Sequence, residues 1–141
     1  MTETLPAPEP AVSPEARPFW EATAEGRLCL QRCSSCGTVV WYPRGICPDC
    51  WSSELEWFRA SGRGAVYSFT MNHRGTGPYE SAGSYVLAYV ELEEGPRVLT
   101  NIVDFDLADL RIGQLVEARF HDTGAGSALV RFAPAKTEDS G

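Results

Sequence analysis

The stretch CSSCGTVVWYPRGICPDC, Cys33 to Cys50, sets two Cys-x-x-Cys pairs ten residues apart. Two residues between thiols let both sulfurs of a pair point at one centre, and Gly37 and Pro48 suit the tight turns this needs. Four thiolates at about 2.3 Å from a metal make a closed tetrahedral site with no position for water, as in structural zinc. The gap is slightly shorter than the roughly 15–20 residues common between such pairs, yet within reach of a compact ribbon. Cys33, Cys36, Cys47 and Cys50 are therefore the expected metal ligands, with structural Zn2+ as the expected ion. All-thiolate tetrahedral sites also accept iron, so zinc and a rubredoxin-type centre both stay open on ligand type alone. A thioredoxin-type redox pair wants a strand-to-helix setting that CPDC lacks, and disulfides are disfavoured in a reducing compartment. Cys29, between Leu28 and Leu30, reads as a small, partly buried core residue.

The flanks fit a zinc ribbon over residues 27–56. RLCLQRC leads as a strand into the first pair, and TVVWYP leads away from it as a second strand. Ahead of the ribbon, residues 14–26 read as a docking helix, opened by Ser13-Pro14-Glu15 or by Pro18 and closed by Gly26. So short a helix is not stable alone, and Phe19 and Trp20 must pack on something. Residues 1–13, rich in Pro, Glu and Ala, and residues 135–141 are expected to be disordered tails.

Beyond the ribbon the pattern is almost wholly β. LEWFRASGRGAVYSFTMNH reads as a strand, a glycine-rich corner at Ser61–Gly64 and a longer strand. In SYVLAYVELEEG, Val86, Ala88, Val90 and Leu92 share one face, while Tyr85, Leu87 and Tyr89 share the other. PRVLTNIVDF follows a tight turn, DLADLRIGQ is a short turn or helical passage, and LVEARFHD and ALVRFAPA form a last hairpin. Five or six such strands with glycines at the corners suit a small closed barrel over residues 57–134. The fold class is thus mainly β: a short N-terminal helix, a rubredoxin-like zinc ribbon and an OB-fold barrel, with an open sandwich as the fallback.

Composition narrows the function. A net charge of −7 argues against a nucleic-acid binder, whose affinity comes largely from neutralising phosphates. Neither a secretion signal nor an apolar run of about 20 residues is visible, so the expected location is the cytoplasm, away from membranes. His73 and His121 join no Ser/His/Asp or Cys/His set, and no phosphate-binding glycine loop is present.

The segments PFWEA, LQRCSSCG, WYPRGICPDC, LEWFRASGRGAVYSFT and YVLAYVELEEGPRVLTNIV together resemble a known family from about Pro18 to Pro134. It is the family of zinc-ribbon plus OB-fold proteins, long known as a domain of unknown function, that accompany thiolase-like enzymes and bind acyl-CoA. The resemblance implies a non-catalytic accessory subunit that completes the CoA-thioester tunnel of a thiolase-fold partner, in a hetero-tetramer. That partner is expected to be a thiolase or a retro-aldolase, with steroid side-chain degradation as the specific expectation. It further implies an acyl-CoA as bound substrate, four zinc ligands at Cys33, Cys36, Cys47 and Cys50, and CoA contacts at Tyr42, Arg44, Arg97 and Asn101. The alternative is a single-stranded nucleic-acid-binding ribbon and barrel, with bases stacked on barrel aromatics. Electron transfer by a rubredoxin-like centre is a third reading.

Overall fold

The computed structural model describes residues 5–135. A 3-10 turn at Pro14–Ala16 runs into helix α1, Arg17–Ala24, which has a proline in its first turn where the missing N–H costs nothing. Gly26, at φ 78°, takes the left-handed position that ends the helix. The turn buries Ala16, and the helix buries Phe19, Ala22 and Thr23. Thr23 Oγ1 donates to the Trp20 carbonyl at 2.6 Å and accepts from the Ala128 amide at 3.0 Å, tying the helix to the barrel.

Three short strands make the ribbon sheet: β1 (Cys29–Cys33), β2 (Val39–Val40) and β3 (Leu55–Arg59), in the order β2-β1-β3, all antiparallel. The second strand is shorter than TVVWYP promised. Trp41 and Tyr42 leave the sheet to pack edge-on against Phe19, with ring centroids at 5.2 and 6.1 Å. Buried Gln31 then holds the next turn by a reciprocal pair of 2.9 Å hydrogen bonds with the backbone of Arg44. The boundary expected after Glu56 falls within β3, whose residues up to Arg59 pair with β1.

The chain then enters a closed five-stranded barrel: β4 (Arg63–Asn72), β5 (Tyr85–Leu92), β6 (Arg97–Ile102), β7 (Leu115–Asp122) and β8 (Ala128–Pro134). The order around the barrel is β4-β5-β6-β8-β7, with β4 long enough to pair with both β5 and β7. This is the OB arrangement. Gly64 is where β4 presses on β5: a Cβ there would lie 2.6 Å from the Glu91 carbonyl oxygen. Val86, Ala88, Val90 and Leu92 all point into the core, as their alternation requires.

The barrel closes weakly between β6 and β8. These strands run parallel and meet at one register pair, Ile102 with Phe132. Above it the Thr100 hydroxyl bridges to the Val130 carbonyl at 2.8 Å. The outer face of this seam is covered by α1, by a 3-10 turn at Gly77–Tyr79 and by the N-terminal segment.

That covering corrects the expected N-terminal tail. Leu5 is buried against Val103 and Ala133, and the Pro6 carbonyl accepts from Arg131 Nη2 at 2.6 Å. Local composition signals an unstructured tail, but an apolar residue at its fifth position has a barrel wall to cover. Residues 1–4 and 136–141 of the expected tails lie outside the described residues.

Candidate functional site: a metal centre and a seam cavity

The two Cys-x-x-Cys turns are built alike. In each, the amide four residues after the first cysteine donates to that cysteine's carbonyl: Gly37 to Cys33 at 2.8 Å, and Trp51 to Cys47 at 2.9 Å. In each, the first cysteine's amide donates to the carbonyl five residues on, Thr38 or Ser52, at 2.8 Å. This loop needs a left-handed residue at its fifth position, and the chain supplies Gly37 at φ 82° and Trp51 at φ 68°. Glycine takes that conformation freely, whereas for tryptophan it is strained. Side chains stitch the loops together, with Ser35 Oγ on Ser52 Oγ at 3.0 Å and Thr38 Oγ1 donating to Asp49 Oδ2 at 2.8 Å.

The result brings together the four cysteines singled out by spacing. Their sulfurs all lie within 4.8 Å of one another, with Cys33–Cys50 at 3.5 Å and Cys36–Cys47 at 3.7 Å. Sulfurs bound tetrahedrally at about 2.3 Å from one ion would sit roughly 3.8 Å apart, so the donor set fits a structural zinc. Cys33 and Cys47 are fully buried, while Cys36 and Cys50 face outward. Such crowded sulfurs compete for protons. The Thr38 hydroxyl, then its amide, draw Cys36 down to about 6. The Ser52 amide favours the Cys50 thiolate, but proton sharing with Cys33, burial and the other two sulfurs push it up to about 12. A divalent cation resolves that conflict by taking all four as thiolates. Cys29, buried at the start of β1, stands outside the group.

The other singled-out residues part company. Tyr42 and Asn101 line one cavity of about 340 Å³, set where the helix and the ribbon loop cover the β6–β8 seam. Tyr42 Oη accepts from Trp20 Nε1 at 2.9 Å. Asn101 is buried, donating to the Val86 carbonyl at 2.9 Å and accepting from Arg131 Nε at 3.2 Å. Arg44 lies elsewhere, exposed beside Trp51 on the ribbon, with Nε on the Tyr42 carbonyl at 3.2 Å. Arg97 is on the outer barrel wall, 3.5 Å from Glu91 and stacked 3.9 Å above the Tyr67 ring.

Sequence reasoning missed Arg131, the largest fully buried side chain. It gives hydrogen bonds to Asn101, His121, Pro6 and Tyr79. Burial, and next the Arg131 charge, hold the His121 imidazole below its ordinary pKa, with Asp104 opposing. His73 pairs with Ser84 Oγ at 3.0 Å on the surface. No helix among the described residues is long and apolar enough to cross a membrane.

Comparison with known proteins agrees with the geometry. The rubredoxin-like zinc ribbon domain of ChsH2 matches residues 20–56, and the C-terminal OB-fold domain of ChsH2 matches residues 57–121. A DUF35 domain-containing scaffold protein of Methanocaldococcus jannaschii is 43% identical over 97 residues, 67% of this chain and 69% of that protein. The benzoylsuccinyl-CoA thiolase subunit BbsA of Thauera aromatica is 32% identical over 109 residues, 72% of this chain and 74% of that one. Among solved structures, the Ltp2-ChsH2(DUF35) aldolase superposes with a TM-score of 0.80 at 34% identity, over 91% of this chain and 100% of the matched one. The chain therefore belongs to the DUF35 family, in its ChsH2-type form of a zinc ribbon followed by an OB-fold barrel.

Proposed function

We propose that this chain is a non-catalytic accessory subunit that docks on a thiolase-fold enzyme, as a hetero-tetramer, and helps it hold an acyl-CoA thioester. The observation that carries the reading is the likeness, over 91% of this chain, to the Ltp2-ChsH2(DUF35) aldolase. The likeness to a thiolase subunit points the same way. The surface adds physical support. Trp51 is 78% exposed despite its strained backbone, beside exposed Ile46. On the barrel, Tyr89 and its cross-strand partner Leu99 are exposed with Tyr67 close by. Exposed aromatics of this size are the usual anchors of protein interfaces.

On this reading Arg44 is the group offered to CoA phosphates. It is exposed and has no carboxylate in ion-pair range among the described residues, whereas Arg97 is engaged by Glu91 and Tyr67. Its fork suits two phosphate oxygens at once.

The test is co-expression with a thiolase-type protein encoded beside this one, followed by size-exclusion chromatography. A stable complex containing both chains is expected. Its CoA-ester affinity should fall on Arg44→Ala, with steroid side-chain esters among those offered. Separate elution of the two chains at micromolar concentration would sink the partnership, and unaltered affinity in the variant would remove Arg44.

A further inference from the structure

The seam cavity is lined by the Arg131 guanidinium, and no carboxylate among the described residues lies within ion-pair distance of it. Arg131 is 1% exposed, and its four hydrogen-bond partners are an amide oxygen, an imidazole nitrogen, a backbone carbonyl and a phenol. Every ion pair among the described residues is made by another arginine. His121, on Nη1, is kept neutral by burial and adds no negative charge. A buried cation satisfied only by neutral groups is costly unless an anion completes it.

The donor count says what kind of anion. A guanidinium has five N–H groups. Nε uses one, Nη2 uses two on Pro6 and Tyr79, and Nη1 uses one on His121, so one Nη1 hydrogen is left over. The Tyr79 hydroxyl accepts from Arg131, and its own hydrogen has no acceptor among the described residues. Two spare donors on neighbouring groups match the two oxygens of one carboxylate. Both residues line the cavity of about 340 Å³, whose other walls include Phe19, Trp20, Trp41 and Leu129. That volume, at the lower end of small-molecule sites, takes an apolar body of one or two rings.

We propose that the seam cavity is a receptor for an apolar molecule bearing a single carboxylate, with the carboxylate on Arg131 and Tyr79 and the apolar body against Phe19, Trp20 and Trp41. A free acid is meant here, not a neutral thioester, and the proposal does not depend on any partner subunit. The overall charge of −7 gives no long-range attraction for anions, so selection falls to this one buried cation.

The test uses the 141-residue chain alone, with 3-phenylpropanoate, its neutral amide and inorganic phosphate as probes, read by tryptophan fluorescence and by ligand-to-protein NOEs. The acid should bind saturably with NOEs to Trp20 and Trp41. The amide should bind at least about tenfold more weakly, the ratio expected from losing one charge-assisted hydrogen bond. Phosphate should not compete, and Arg131→Gln should abolish the preference for the acid. Should that variant not fold, the acid–amide ratio in the unaltered chain decides alone. Equal affinity for acid and amide, no binding of either, NOEs to another face, or a preference for phosphate would each overturn the proposal. None of these outcomes bears on the thiolase partnership, which is read by co-purification.

Discussion

Replacing Trp51 by glycine should separate the ribbon's stability from its docking. Trp51 occupies the place that Gly37 fills in the other cysteine loop, at φ 68° against 82°. It is 78% exposed, so truncation forfeits contact over about a fifth of the ~250 Å² of a tryptophan, or roughly 1.3 kcal/mol at ~25 cal/mol/Å². Relief of the left-handed backbone returns about 1–2 kcal/mol, and the greater freedom of glycine in the unfolded chain takes back up to about 1 kcal/mol. The terms nearly cancel. Chemical denaturation of the zinc-loaded chain should therefore move by no more than about 1 kcal/mol in either direction. A tryptophan anchoring an interface is worth about 2 kcal/mol or more, so affinity for the thiolase-type partner should fall roughly 30-fold or further. Biolayer interferometry against the immobilised partner reads the second quantity. A stability loss above about 3 kcal/mol would make Trp51 a packing residue, and unchanged affinity would remove it from the interface.

Three further outcomes follow from the packing and the site. Phe19→Ala removes a ring that is 2% exposed and touches Trp20, Trp41 and Tyr42, so denaturation should show a loss of about 3–5 kcal/mol, against near neutrality at Trp51. Cys47→Ser should bring bound zinc, measured by elemental analysis, well below one ion per chain while the barrel keeps its far-ultraviolet circular dichroism; full zinc content would contradict the four-sulfur site. The His121 pKa is lowered by burial first and by Arg131 second, so its unfolded form binds a proton that the folded form resists. Its stabilising share is complete above about 6.5 and is lost as pH falls below that towards the folded value. His121→Asn should lessen the drop in stability between about pH 7 and 5, and an unaltered slope would show that this imidazole is not the responsible group.

The readable part of the molecule was the part written in local spacing. The cysteine loops follow from two residues between thiols, and the core face of β5 follows from strict alternation at Val86, Ala88, Val90 and Leu92. What escaped was set by distant chain segments. Arg131 sits in ALVRFAPA at a position that alternation turns outward, and outward arginines are normally solvated. Here the outer wall of β8 is roofed by α1, Tyr79 and the Leu5–Pro6 segment, so the same position becomes the most deeply buried charge among the described residues. Leu5 was hidden for the converse reason, since its neighbours are prolines and acids and its partners, Val103 and Ala133, lie about a hundred residues along the chain. TVVWYP has strand-forming residues throughout, yet the helix offers Phe19 as a better partner for Trp41 and Tyr42 than a continued ladder.

The accessory role is tested most directly by acyl-CoA turnover in three samples: this chain alone, the thiolase-type partner alone, and the two combined. Turnover is expected in the combined sample, with little by the partner alone and none by this chain. Turnover by this chain in isolation, or a partner equally active without it, would refute the accessory role.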